Sequence, residues 1–332
     1  MVKIDVLGAG IVGLWQAFEL RRRGHDVTLW DRAGIPGGVR ASQLAGAMLA
    51  PYCEGEPGHE LACKLGLDSL PLWREHYPEM AAMGTLVVAA ARDRADYERF
   101  ASQTQGHRRM ARAELRELEP ALGGRFHEGL YFPDEAHVEP GSAMAYFARE
   151  LRRMGVVCQA RAYPDEGGSG LVIDCRGLAA RDDLKTLRGV RGERILIEAK
   201  DVRLTRPIRL LHPRVPFYIV PWSSGHFMIG ATLIESADGG PATLRSAMEL
   251  LSCAYALLPE LGEARIVEIA AGVRPSFPDN APKIVVRGKR IFVNGLYRHG
   301  FLVSPILAQI AADYIETGAK AEGVVFEDHG EW

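Results

Sequence analysis

Three glycines near the amino terminus, Gly8, Gly10 and Gly13 in "VLGAGIVG", stand between a short apolar run and an amphipathic one. In a strand–turn–helix unit the first glycine makes the turn and the second lets the backbone approach a diphosphate. The third lets helix and strand pack closely. Free N–H groups and the helix dipole at that N-terminus favour phosphate charge. Asp31 follows Gly13 by 18 residues and ends the next apolar run, "HDVTLWD". A carboxylate there can hydrogen-bond ribose hydroxyls. The adjacent Arg32 reads as a 2′-phosphate partner or as a surface arginine after a strand, and the second reading is preferred. These residues define a dinucleotide site without deciding between nicotinamide and flavin.

The elements around them follow from periodicity. Ile4–Leu7 is a strand, and a helix runs to about Arg23 with Ile11, Leu14, Ala17, Phe18 and Leu20 on its apolar face. Arginines in its last turn suit the negative end of the dipole, and Gly24 stops it. A small-residue loop, "GIPGGVRASQLAGAMLAP", comes next, the composition needed where backbone approaches a ligand closely. Helices are expected around 58–75, 94–105, 111–118 and over "PGSAMAYFARELRRMG", with strands at "TLVVAAAR", "EGLYFP" and "LVIDCRG". From about 188 to 236, runs broken by Pro and Gly have the pattern of an antiparallel sheet. A helix around 241–257, strands through "AGVRPSFPDN", "KIVVRG" and "RIFVNG", and a last helix over about 304–316 complete the reading. Gly167-Gly168-Ser169-Gly170 reads as a tight turn.

The 332 residues suffice for two domains with their own cores. At 47% hydrophobic, 25% charged and a net charge of −2, the chain has the balance of a soluble protein with no pull towards nucleic acid or an anionic membrane. It shows no apolar stretch of transmembrane length and no signal-peptide pattern, so a cytoplasmic location is expected. Five scattered cysteines read as reduced thiols, and the histidines show no metal-ligand spacing.

A nicotinamide dehydrogenase would complete its sheet with alternating strands and helices over the next hundred or so residues. Here the chain leaves the sheet, which is completed by "LVIDCRG" and the C-terminal strand–helix pair, and no second GxGxxG occurs. One dinucleotide wrapped by distant pieces of chain points to bound FAD.

At this point the residues resemble the amino-acid oxidases of the D-amino-acid oxidase type, and among them the glycine oxidase branch serving thiamine biosynthesis. The likeness runs in order through "VLGAGIVG", "ASQLAGAMLAPYCEGE", "VIDCRG", "YIVP", "FMIGATLIES", "AGVRPSFPDN" and "VNGLYRHGFLVSP". It implies an α/β fold of p-hydroxybenzoate-hydroxylase-like architecture. Residues 1–83, 139–190 and 274–332 would form a Rossmann-like FAD domain, and 84–138 and 191–273 an antiparallel-sheet substrate domain. The resemblance puts Gly8, Gly10, Ile11, Val12, Gly13, Asp31 and Arg32 at the pyrophosphate and ribose. It puts Ala41, Ser42, Gly46, Ala47 and Met48 beside the flavin. Leu296, Tyr297, Arg298, His299, Gly300, Phe301 and Leu302 would pack on the ring, with the last helix aimed at its pyrimidine oxygens.

By the same resemblance Arg274 grips the substrate carboxylate, Tyr218 adds a hydroxyl and Arg298 stands at the substrate edge. No residue is assigned acid–base or nucleophilic work, since hydride passes directly to noncovalent FAD. The implied reaction takes a small amino acid and O2 to an imine, then glyoxylate, and hydrogen peroxide. A thiazole synthase is the implied partner, and homo-oligomer formation stays open. The alternatives are a flavin dehydrogenase delivering electrons to a quinone or other acceptor, a nicotinamide enzyme, and a non-catalytic FAD-binding regulator. Leu233 and His299 depart from the family pattern and are expected near the substrate pocket.

Overall fold

Strand Lys3–Leu7 buries Ile4, Asp5, Val6 and Leu7, the all-round burial of a strand inside a parallel sheet. In this computed structural model, which describes residues 1–35, 41–53, 58–164 and 170–328, it lies within a seven-stranded sheet. Asp26–Trp30 and then Val157–Gln159 lie parallel on one side of it. Leu171–Asp174 and then Arg290–Asn294 lie parallel on the other, and Lys283–Arg287 and Val325–Glu327 complete the sheet. The late return of "LVIDCRG" and of the C-terminal strands to this sheet is therefore borne out.

The glycine turn allows the first helix to sit against the sheet. Gly8 has φ +93°, and a Cβ on Gly13 would lie 1.8 Å from the Gly8 carbonyl oxygen. Helix Ile11–Arg22 is buried almost all round, Gln16 and Glu19 included, rather than on one apolar face. The sheet lies on one side of it, and helices Pro140–Arg153 and Gly300–Thr317 pack against the others. Its terminal arginines bind partners more specific than a dipole. Arg23 pairs with Glu19 at 2.7 Å and with Asp313 and Glu316 of the last helix at 2.6 and 2.9 Å. Burial pushes the Glu19 carboxyl up, but hydrogen bonds from Arg22 and Arg23 outweigh it and hold the group below its usual range.

The second sheet has nine strands. Its path runs Ile234–Glu235, Arg188–Glu198, His226–Gly230, Phe217–Pro221, Ile208–Leu211, Thr85–Ala89, Glu128–Phe132, Arg108–Ala111, while Arg265–Ser276 pairs with the other side of Arg188–Glu198. Helix Leu244–Leu257 covers it with Leu250, Cys253, Ala254 and Leu257, sealing a second core.

Five short strands, Met48–Leu49, Arg108–Ala111, Ala136–His137, Val157–Gln159 and Val325–Glu327, escape the sequence reading. Each is four residues or fewer and too short to show a period. The last helix begins at Gly300, four residues before the expected start, so it takes in the "GFLV" run. The turn expected at 167–170 lies, but for Gly170, outside the described residues, as do residues 36–40 of the small-residue loop.

Strand Ala136–His137 holds the cavity-side strand Met48–Leu49 in register, and His137 also exchanges two backbone hydrogen bonds of 3.0 Å with Ala81. Burial lowers the His137 imidazole from 6.5 to about 4, outweighing a hydrogen bond to the Pro221 backbone. The unfolded chain therefore binds a proton that the folded chain refuses. Stability should fall as pH drops from 6.5 to about 4, with a slope approaching ~1.4 kcal/mol per pH unit. Urea unfolding of wild type and His137→Gln across that window should show a steeper fall in the wild type, the difference in slope approaching ~1.4 kcal/mol per pH unit. An identical pH dependence in both would refute the assignment.

Candidate active site

The N-terminus of the first helix and that of the last open into one cavity. Unfilled space there amounts to about 1260 Å³, its solvent mouth included. On the first-helix side, Gly10, Ile11 and Val12 line it, and Ile11 donates its backbone N–H to Ser42 Oγ at 3.1 Å. Asp31 ties the turn to the end of its strand, its Oδ2 accepting from Ala9 N at 2.7 Å and its Oδ1 from Ala33 N at 2.8 Å. Gly8 and Gly13 shape the turn from behind. Asp31 and the exposed Arg32 stand beyond the residues that line the cavity.

Ala41, Ser42, Gly46, Ala47 and Met48 form a second wall. Ala47 has φ +49°, a left-handed conformation that costs a residue with a Cβ on the order of 1–3 kcal/mol. Its carbonyl accepts from Val138 N at 3.1 Å, which holds it there. The third wall is Leu296 to Leu302, where Tyr297 is also left-handed, at φ +51°. Tyr297 N donates to Pro275 O at 3.0 Å, and Ser276 bridges Leu296, so the run is stitched to the long strand Arg265–Ser276. In helix Gly300–Thr317 the first intrahelical bond joins Val303 N to His299 O. The N–H groups of Gly300, Phe301 and Leu302 thus have no intrahelical acceptor and give this end partial positive charge.

Arg274 and Tyr218 reach the same cavity from the second sheet. Arg274 is partly buried and donates from Nη1 to Thr232 O at 3.3 Å. Tyr218, on Phe217–Pro221, passes so close to Gly46 that a Cβ there would meet its Cε2 at 2.7 Å. The cavity is thus lined by 17 of the residues singled out from the sequence: Gly10, Ile11, Val12, Ala41, Ser42, Gly46, Ala47, Met48, Tyr218, Arg274 and Arg298, with Leu296, Tyr297, His299 and the start of the last helix, Gly300, Phe301 and Leu302.

Other residues enter that the sequence reading passed over. Cys175 and Gly177 follow the strand Leu171–Asp174, a strand-end position that its glycine already marked. Burial, then the neighbouring Asp174, pushes the Cys175 thiol well above its ordinary range, so it stays protonated and is no nucleophile. Gly192 and Gly272 face each other across the two long strands, and nothing short of strand register marks them as partners. His59 stands against Tyr297, ring planes 3° apart and centroids 6.2 Å apart, and its Nδ1 lies 3.4 Å from His299 Nε2. His299 lines the cavity, but Leu233 does not. It is 43% exposed, because the strand-like alternation turns Thr232 inward and Leu233 out.

A paired glycine turn, two helix N-termini and a glycine-lined cavity holding an arginine suit a dinucleotide and a small anion. Among the described residues no group of His, Cys, Asp and Glu is arranged to hold a metal, and no helix is long and apolar enough to cross a membrane. The chain belongs to the FAD dependent oxidoreductase family, whose profile matches residues 3–314. Within it the chain is of the glycine oxidase and thiamine-biosynthesis oxidoreductase type. It is 46% identical to the thiamine biosynthesis oxidoreductase ThiO of Rhizobium etli, over 92% of this chain and 94% of that one. It is 26% identical to the glycine oxidase of Geobacillus kaustophilus, over 94% and 92%. Its fold matches the crystal structure of glycine oxidase from Bacillus cereus with a TM-score of 0.78, covering 96% of each chain at 24% identity.

Replacing Asp31 by Ala leaves the Ala9 and Ala33 N–H groups without their carboxylate and loosens the turn. Flavin retention should weaken by about 1–3 kcal/mol, with the rate of flavin reduction on the loaded fraction little changed. Equilibrium dialysis followed by absorbance measures it; full occupancy after extended dialysis would show that Asp31 plays no part in holding the cofactor.

Proposed function

We propose that this enzyme oxidises the C–N bond of glycine and of small amines or N-substituted glycines, with dioxygen as electron acceptor. The observation that carries the reading is the arrival of Arg274 and Tyr218, from separate strands of the second sheet, in the cavity that the two helix N-termini face. A planar guanidinium offers a two-point fork to a carboxylate, and a phenol adds a third donor. A substrate as small as glycine has little else to hold.

Residues 1–83, 139–190 and 274–332 serve as the cofactor domain in this reading, and 84–138 and 191–273 as the substrate domain. All seven strands of the first sheet fall in the former segments, which supports the division. Gly8, Gly10, Ile11, Val12 and Gly13, with Asp31 and Arg32, take the pyrophosphate and ribose. Ala41 to Met48 and Leu296 to Leu302 take the ring, with Arg298 at the substrate edge. Bound FAD supplies the two-electron acceptor for the substrate hydride.

Arg274 and Tyr218 fix the carboxylate, and with it the direction of the α-hydrogen. The N–H groups of Gly300, Phe301 and Leu302 favour negative charge beside that end of the cavity. Apolar walls from Leu44, Met48 and Leu302 exclude water, which lets the amine enter neutral. No side-chain base is needed to break the C–H bond, because loss of hydride from a neutral amine leaves the protonated imine, whose N–H proton passes to water. That product hydrolyses to glyoxylate and ammonia, while dioxygen leaves as hydrogen peroxide. The ThiO relative supports a second fate, delivery of the imine to a thiazole-forming enzyme.

The protein should purify yellow, and acid or heat should release all of its FAD, since Cys175, the cysteine that lines the cavity, is kept protonated by burial and is no nucleophile. Flavin that stays with the precipitated chain would overturn the noncovalent assignment. Arg274→Lys keeps the charge and loses the fork, so the α-carbon should swing out of line. Such a contact is worth roughly 2–4 kcal/mol, a fall of about 30- to 1,000-fold in kcat/KM for glycine at unchanged flavin content. Anaerobic flavin reduction by glycine and by sarcosine measures this. Equal rates in the two proteins would put the carboxylate elsewhere.

A further inference from the structure

The long strands Arg188–Glu198 and Arg265–Ser276 run antiparallel, with Val190 opposite Arg274 and Gly192 opposite Gly272. Residues two apart on a strand share a face, and a long side chain reaches its diagonal neighbour on the facing strand. Arg274 does this. A Cβ on Gly192 would fall 2.2 Å from Arg274 Nη1 and Nη2 and 2.3 Å from Cζ, so the guanidinium lies where a side chain at 192 would be. One edge of the guanidinium is pinned as well, since Nη1 donates to Thr232 O. Thr232 is itself locked to Glu193, by Thr232 N to Glu193 O at 3.2 Å and Glu193 N to Thr232 Oγ1 at 2.8 Å. Tyr218 rests on glycine in the same way. A Cβ on Gly46 would meet its Cε2 at 2.7 Å, and one on Gly230, its cross-strand partner, would meet its Cζ at 3.3 Å.

Gly192 is not among the residues with positive φ. Its backbone therefore tolerates any residue, and the demand for glycine is one of space alone. The obstacle to a side chain is the far end of a flexible arginine, which moves more cheaply than a strand.

We propose that Gly192 is a positioning residue for substrate binding, the seat that sets the height of the Arg274 guanidinium in the cavity. The inference rests on the proposed role of Arg274 as the carboxylate fork. A methyl group at 192 lifts the guanidinium off the sheet and leaves strand pairing and flavin binding as they were. The α-carbon of a carboxylate-bearing substrate then sits out of line with its acceptor, and displacement of about 1 Å can cost about 100-fold in rate.

The test is a double-mutant cycle with Gly192→Ala and Arg274→Ala, read by three measurements. These are kcat/KM for glycine, acetate affinity by calorimetry, and melting temperature with flavin content. Gly192→Ala alone should lower kcat/KM for glycine by about 100-fold and weaken acetate in parallel, with melting temperature and flavin content as in the wild type. In the Arg274→Ala background the same substitution should change neither kinetics nor acetate binding. Wild-type kinetics and acetate affinity in Gly192→Ala would overturn the proposal, as would an undiminished effect in the Arg274→Ala background. Early melting or flavin loss in Gly192→Ala would overturn it too, by showing that the sheet and not the arginine gives way. If Arg274→Ala itself leaves glycine oxidation and acetate binding intact, the carboxylate fork fails and the seat with it.

Discussion

The contact between the backbones at Gly8 and Gly13 is the constraint on which the rest of the molecule depends. The Gly13 Cα sits so near the Gly8 carbonyl that no Cβ fits between them, and Gly8 itself leaves no room against the Cys175 carbonyl, 2.8 Å from where its Cβ would be. This closeness brings the first helix down onto the sheet and turns its N-terminus into the cavity. It also brings the end of Leu171–Asp174 alongside, although that strand comes from far along the chain. With the first helix fixed, the last helix docks on it through the Arg23 pairs with Asp313 and Glu316, and its own N-terminus arrives at the same cavity.

The second sheet reaches that cavity through its two longest strands and through Tyr218 of Phe217–Pro221. Arg188–Glu198 and Arg265–Ser276 carry Gly192, Gly272 and Arg274 to the wall, and beneath them lies a buried pair, Arg191 with Glu193 at 2.6 Å. Burial would raise the Glu193 carboxyl, but hydrogen bonds from Ser246 and Arg191 bring it below its usual range. Buried ion pairs are weak sources of stability, because desolvation offsets much of the attraction. The value of this one is positional: the Glu193 carboxylate takes the Thr243 N–H and so fixes the cap of helix Leu244–Leu257, while the Glu193 backbone holds Thr232 and with it the carbonyl that Arg274 uses. The strained residues Ala47 and Tyr297 belong to the same pattern. Each is held by a backbone hydrogen bond from or to a neighbouring segment, and each faces the cavity.

How far the site was legible depended on the kind of signal each residue carries. The glycine turn, the strand-end Asp31 and the small-residue loop were readable because their chemistry is local: turn geometry, helix polarity and close approach act within a few residues of chain. Arg274 and Tyr218 were different. Taken singly, an arginine after a strand reads as a surface salt bridge and a strand tyrosine as core packing, and only their place in an ordered set of motifs gave them a role. Leu233 shows the limit of that inheritance, since the motif placed it near the pocket and the local alternation turns it to solvent.

By itself the sequence determined the two-sheet architecture, the nucleotide turn and the order in which chain segments return to the first sheet, because periodicity and glycine placement are properties of the chain alone. Tertiary structure alone decided which glycines face each other, where the last helix begins and what the helix-end arginines bind. Gly192 opposite Gly272 is a matter of register between strands over seventy residues apart, and register is set by pairing, not by either strand's own residues. The start of the last helix at Gly300 follows from the stitching of Tyr297 and Leu296 to Arg265–Ser276, which lets helical hydrogen bonding begin once that contact ends.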